Sequence, residues 1–150
     1  MTFRMMELCD WHVFQILTKR ADRLAELAPR LKWPANVWMG VSVGVQEFAS
    51  RVDRLRTVPA RVRFLSCEPL LGPVDLDLNG VHWVIAGGES GIVHRPVSLD
   101  WVRALRDACV ARNVAFFFKQ VGGRTPKAGG RLLDGRTWSE YPSLLQSVTA

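Results

Sequence analysis

Residues 81–91 read Val81-His82-Trp83-Val84-Ile85-Ala86-Gly87-Gly88-Glu89-Ser90-Gly91, a largely apolar run that empties into a glycine-rich polar turn. A half-exposed antiparallel strand would alternate polar and apolar residues. A near-continuous apolar run fits instead a parallel strand, either in a sheet covered on both faces or in a barrel wall. The polar turn then lies at the strand's carboxyl end, where α/β proteins bind their ligands.

The pattern repeats on both sides of this stretch. Downstream, Ser98 is an N-cap residue for a helix with Asp100 in its first turn, a stripe of Trp101, Leu105, Ala108 and Cys109, and a stop at Asn113. A strand over residues 114–120 follows and ends at Gly122-Gly123. Upstream, the strand over 62–68 stops at Pro69, and a loop through Gly72-Pro73 and Asn79-Gly80 leads to Val81. Before it lies a strand over 37–43 and a helix from about 46 to 58, marked by Phe48, Val52 and Leu55 and closed by Pro59. The first unit is a strand over 11–18 and a helix over 21–31 with Leu24, Leu27, Ala28 and Leu31 on one side, broken at Trp33-Pro34.

Strands alternating with helices at a period of about 25 to 30 residues predict right-handed βαβ units and a parallel sheet. Five strands are too few for an eight-stranded barrel of about 250 residues. The expected fold class is therefore α/β, about five parallel βα units forming a partial TIM-like barrel or an open sheet over residues 1–123. Residues 124–150 read as a glycine-rich tail in which Arg131-Leu132-Leu133-Asp134-Gly135-Arg136-Thr137-Trp138 suggests a turn with short flanks, a short hairpin.

Composition agrees with one packed domain. The chain has 150 residues, 48% of them hydrophobic and 23% charged, which excludes a disordered tail, collagen and a charged coiled coil. No apolar run approaches the roughly 18 residues of a membrane span, and the first seven residues contain no signal-peptide core. A cytoplasmic protein without a membrane partner is expected. Cys9, Cys67 and Cys109 are far apart and lack the spacing of a disulfide framework or a metal site, so each reads as a small buried hydrophobe. The net charge of +6 permits an anionic partner, nucleic acid included; an overall bias toward arginine would produce the same number.

Listing the polar residues at the strand ends yields the candidate site. Thr18, Lys19 and Arg20 end the first strand, Ser42 the second, Ser66 and Glu68 the third, Gly87, Gly88, Glu89 and Ser90 the fourth, Lys119 and Gln120 the fifth. Glu68 and Glu89, from adjacent strand ends, could pair for proton transfer or metal binding with Lys19 and Lys119 as counter-charges; an ion-pair ring that neutralises the sheet edge is the competing reading. The glycine loop would bring backbone N–H groups close to a phosphate or carboxylate, though it is neither a Walker A loop nor a dinucleotide fingerprint. His94 and Arg95 are candidate anion contacts, while His12 and His82 lie at the opposite, structural end. The arginines at 51, 54, 56, 61 and 63 could track a phosphate backbone, but a solvated helix face partly paired to Asp53 is the plainer reading.

Five ordered motifs carry a resemblance: Phe-Gln-Ile-Leu-Thr-Lys-Arg (14–20), Met-Gly-Val-Ser-Val (39–43), Phe-Leu-Ser-Cys-Glu-Pro-Leu-Leu-Gly-Pro (64–73), Trp-Val-Ile-Ala-Gly-Gly-Glu-Ser-Gly (83–91) and Phe-Phe-Phe-Lys-Gln (116–120), with Leu-Asp-Gly-Arg-Thr-Trp (133–138) in the tail. The chain resembles the phage protein family named after mycobacteriophage gene products thirty-seven and sixty-eight. Complete members look like radical S-adenosylmethionine proteins, with a three-cysteine loop for a [4Fe–4S] cluster preceding a βα barrel, and this chain matches only the later strands. The resemblance implies a prophage origin and S-adenosylmethionine as a ligand. It also implies that no [4Fe–4S] cluster is held by Cys9, Cys67 and Cys109, since three closely spaced thiolates are needed. By position, Ser42, Ser66, Glu68, Gly87 to Glu89, Lys119 and Gln120 match the family's strand-end motifs.

The leading expectation is a truncated radical-SAM-like partial barrel without independent catalysis. Its first strand would present an apolar edge that a second copy or a separately encoded N-terminal half must cover. The alternatives are a nucleic-acid-associated accessory protein of a mobile element and a small metal-dependent enzyme using Glu68 and Glu89.

Overall fold

The computed structural model describes residues 2–143. Five strands, β1 (Phe14–Thr18), β2 (Val37–Ser42), β3 (Arg63–Cys67), β4 (Trp83–Gly87) and β5 (Ala115–Gln120), form one open parallel sheet in the order β1-β2-β3-β4-β5. The α/β class and the strand count follow the sequence reading.

The order never reverses. Each right-handed connection to the next strand in the same direction lands on the same side of the sheet, so every crossover covers one face. Helices α2 (Ala21–Leu27), α3 (Arg51–Arg56) and α4 (Leu99–Ala111) accordingly share a single core with one parity of strand residues, among them Val41, Leu65, Cys67, Val84, Ala86, Phe116 and Phe118. The β3–β4 connection has no helix; Leu70, Leu76 and Leu78 from that loop are buried in the same core. Each fully buried Leu or Phe contributes about 1.5–3 kcal/mol of hydrophobic stabilisation, which is why an irregular loop can replace a helix here. The other parity builds a second, smaller cluster of Trp38, Val62, Phe64 and Trp83, with Ile85, Ala115 and Phe117 against it.

Helix α4 obeys its sequence signals at both ends. Ser98 Oγ accepts from the N–H of Asp100 at 3.3 Å. At the other end Asn113 adopts φ 54°, the Val114 N–H reaches Cys109 O at 2.9 Å and the Asn113 N–H reaches Val110 O at 3.2 Å, a Schellman stop. Leu105 and Cys109 are buried as the stripe predicts, joined by Val102, while Trp101 and Ala108 are half-buried.

Several boundaries differ from the sequence reading. The helix expected from 46 to 58 is a 3₁₀ turn at Gln46–Phe48 followed by α3, because Phe48 is not a core residue; its ring lies exposed beneath the Arg51 guanidinium, 3.9 Å from ring centroid to Cζ. Trp11 to Val13 precede β1 without joining it, and Trp11 is 72% exposed. The helix expected through Leu31 is α2 followed by a 3₁₀ turn at Ala28–Arg30, where Pro29 interrupts the α pattern. A helix without a counterpart in the sequence reading, α1 (Thr2–Leu8), is held by Asn36, whose Nδ2 donates to Met6 O at 2.9 Å and His12 O at 3.0 Å, and by an edge-on contact of Phe3 with Trp33.

In the tail, β6 (Leu132–Leu133) and β7 (Arg136–Thr137) form a hairpin about Asp134-Gly135, both at positive φ as a type I′ turn requires. Leu133 is fully buried in the helix-side core. The chain then runs antiparallel beside β5, with the Phe118 N–H on Trp138 O and the Glu140 N–H on Phe116 O, so one sheet edge is covered. Among the described residues no strand pairs with the outer edge of β1. No described helix is long and apolar enough to cross a membrane.

Candidate ligand-binding face

The face that carries no helix is graded from apolar to polar along the strands. Gln15 and Leu17 on β1, Trp38, Gly40 and Ser42 on β2, Phe64 and Ser66 on β3, Trp83 and Ile85 on β4, and Phe117 and Lys119 on β5 share one side by alternation. Register sets Gly40 beside Phe64 and Phe64 beside Trp83, with Ser42 beside Ser66 and Ser66 beside Ile85 one layer higher. Aromatic rings form the lower layer: Trp83 meets Trp38 edge-on at 6.0 Å, Phe64 at 5.8 Å and Phe117 at 6.2 Å, and Tyr141 folds over Trp83 at 5.2 Å. Gly40 makes room for this layer, since a Cβ there would stand 2.4 Å from the Phe64 ring.

A hollow of about 370 Å³ opens above the rings, lined from β1 by Leu17, from β3 by Ser66 and Glu68, and from β5 by Phe117 and Lys119. Glu68 and Lys119 pair across it, Nζ to Oε1 at 3.0 Å, with the carboxylate mostly sheltered and the ammonium half-exposed. Gly87 lies under this carboxylate, where a Cβ would meet Oε1 at 3.2 Å. Ser42 and Ser66 are buried polar residues in neighbouring strands, and their backbone carbonyls are occupied by Arg51 Nη1 and the Val43 N–H. Thr18 turns back on its own chain and accepts from the Arg20 N–H at 3.0 Å.

Glu89 belongs to a different constellation. Both of its carboxylate oxygens bind the Arg95 guanidinium, at 2.8 and 2.7 Å, and one also accepts the Arg95 N–H at 2.9 Å. Those hydrogen bonds, more than the charge alone, hold its pKa down to about 2. Glu68 and Glu89 thus take separate cationic partners. Among the described residues no group of three His, Cys, Asp or Glu side chains is arranged to hold a metal ion.

The glycine loop is a packing device. The Gly88 N–H binds Gln120 O, the Gly91 N–H binds Gly123 O, and the Gly123 N–H binds Glu89 O, which extends the β4–β5 pairing beyond the strands. A Cβ at Gly88 would lie 1.9 Å from Val121 O. Gln120 Nε2 ties the loop further, donating to Gly88 O and Ser90 Oγ at 3.2 and 3.1 Å. Gly88, Ser90 and Gln120 therefore bind one another and hold the loop against the end of β5. The amides of Gly88 and Gly91 are occupied within the protein. His94 Nδ1 stays local, 3.1 Å from Gly91 O.

The arginine run is drawn into the fold. Arg54 binds Asp22, Arg56 binds Asp53 and Asp77, and Arg63 reaches the carbonyls of Gly80, Val58 and Ala60. His82 lies at the far end of the sheet and accepts the Arg63 N–H on Nδ1. Sequence reasoning placed the strand-end polar groups and missed the aromatic layer beneath them. Its signal was present as parity: Phe64, Ser66 and Glu68 are two apart, as are Phe117 and Lys119.

A family model described as protein of unknown function (DUF5131) matches residues 1–142, and the chain belongs to that family. No curated protein and no solved structure matches it.

Proposed function

We propose that this DUF5131 member is a radical-SAM-like partial βα barrel of prophage origin that binds S-adenosylmethionine or a substrate on its helix-free face and performs no reductive cleavage alone. One observation carries the reading: a parallel sheet whose order never reverses, with α2, α3 and α4 on one side and an aromatic layer under charged strand ends on the other. Consecutive strands of a βα barrel wall are ordered this way, with the helix-free side facing the barrel interior and ligands held at the carboxyl ends of the strands.

The chemistry of the face suits a zwitterion joined to a planar ring. The Glu68 carboxylate can receive an ammonium and Lys119 a carboxylate by exchanging each other for the ligand. Phe117 and Tyr141, resting on the buried Trp83, offer ring faces to a base or a sulfonium. The Ser42 and Ser66 hydroxyls supply neutral hydrogen bonds at the strand ends.

The cysteines do not fit a [4Fe–4S] cluster. Cys67 and Cys109 are buried among the helices on the far side of the sheet, where desolvation pushes both thiols up, Cys109 to about 12. Cluster ligation requires thiolates, and Cys9 follows α1, away from both. The outer edge of β1, where Leu17 is 48% exposed, is where a second copy or an N-terminal half would add.

Titrating the chain with S-adenosylmethionine while following tryptophan emission tests the reading. Saturable binding lost in Glu68→Gln and Lys119→Met is expected, together with no stoichiometric iron after anaerobic reconstitution. Absence of binding would remove the ligand assignment, and a stoichiometric cluster with S-adenosylmethionine cleavage would remove the claim of dependence.

A further inference from the structure

We propose that a second pocket, at the carboxyl ends of β1 and β2 on the helix side, binds a phosphate or diphosphate group of a small ligand. This pocket of about 460 Å³ is lined by Lys19, Arg20, Arg23, Arg51, Ser50 and Phe48, with Asp22 as its one carboxylate. It is separate from the face assigned above and does not depend on that reading.

Three features make it a built anion site. First, its charge is unbalanced: four cations line it against one carboxylate, and Asp22 is already bound by Arg54 at 2.9 Å. Lys19 and Arg20 form no ion pair among the described residues, and Arg23 has only Glu26, at an exposed i,i+3 spacing worth little. Second, Arg51 is fixed in advance. Its Nη1 donates to Ser42 O at 2.8 Å and its guanidinium stacks on Phe48 at 3.9 Å, so the remaining N–H donors keep one orientation with little entropy left to lose. Third, the cations come from separate elements: Lys19 follows β1, Arg20 and Arg23 belong to the start of α2, and Arg51 opens α3. Cations from the β1–α2 junction and from the start of α3 line one pocket and can flank a compact anion, which a single charged helix face cannot do.

The occupant is a multiply charged oxyanion, since a bidentate guanidinium and ammonium groups match several oxygens better than one carboxylate. A small ligand is favoured over a nucleic-acid backbone because Arg54, Arg56 and Arg63, which would continue a track, are engaged within the fold.

Calorimetric titration of the full chain with inorganic pyrophosphate at low ionic strength tests the assignment. One saturable site is expected, weakened roughly tenfold or more by Lys19→Met and by Arg51→Gln. Restoration in Lys19→Arg and an unchanged affinity in the distant control Arg30→Gln are also expected. Because Arg51 contacts Ser42 and Phe48, Lys19→Met, a side chain without ion pairs, is the deciding variant should Arg51→Gln unfold. Equal displacement by sodium chloride and by sodium sulfate at matched ionic strength would overturn the site in favour of general screening. So would a single-stranded oligonucleotide that requires Lys19 and Arg51 yet is not displaced by pyrophosphate.

Discussion

Lys119 Nζ lies 3.0 Å from Oε1 of Glu68, joining β5 to the end of β3 across the face opposite α2, α3 and α4. Lys119 is 54% exposed, so solvent screens the pair and its contribution to stability is below about 1 kcal/mol. Lys119→Met should therefore shift the melting temperature by less than about 4 °C in a chain of this size. S-adenosylmethionine affinity should fall at least tenfold in the same variant. A scan and a titration on one sample separate the two effects, and a large melting shift with unchanged affinity would assign the pair to the fold instead.

Gly88 and Gly72 predict opposite outcomes for the same substitution. At Gly88 the new methyl would meet a backbone carbonyl at 1.9 Å, which cannot rotate away; at Gly72 nothing lies within 4 Å. Gly88→Ala should cost about 1–3 kcal/mol or more, read as a lower urea midpoint. Gly72→Ala should stay within about 0.5 kcal/mol.

The Glu89–Arg95 pair predicts an acid-side dependence. Its carboxyl, ordinarily near 4.5, titrates at about 2 because Arg95 hydrogen-bonds it. A depressed folded pKa means that the contribution is complete above pH 4.5 and lost as pH falls toward 2. Carboxyl NMR should show the Glu89 midpoint near 2, rising toward 4.5 in Arg95→Gln.

His82 adds a dependence at higher pH. Burial, then the neighbouring Arg63 charge, lower its pKa from 6.5, and Nδ1 accepts the Arg63 N–H, which only an unprotonated Nδ1 can do. The folded state prefers the neutral ring, so stability should decline as pH drops below 6.5 through the lowered folded value. Urea midpoints at pH 7.5 and pH 5.5 should differ less in His82→Asn than in the parent chain.

Leu133 tests how the tail is anchored. It is fully buried beneath a hairpin whose turn residue Asp134 binds Arg103 and Arg106 of α4. Leu133→Ala should cost about 2–5 kcal/mol, far more than the exposed neighbour Leu132→Ala, as thermal unfolding would show.

The strand-and-helix alternation was legible in the sequence because runs such as Val81–Ala86 and 114–120 carry their burial in their composition, and the caps of α4 were legible because Ser98 and Asn113 act through local geometry. Strand-end residues could likewise be named from topology alone. What sequence reading could not supply was the partner of each charge. Glu89 takes Arg95, six residues on, while Glu68 takes Lys119, 51 residues away. Nor could composition distinguish Gly88 as a close backbone contact from Gly88 as an anion cradle, because that depends on Val121 approaching from just beyond the end of β5. Local preferences act over a few residues and are written in the chain; side-chain pairing, the stacking of Arg51 on Phe48 and the bare face of the sheet arise only when distant segments are brought together by packing.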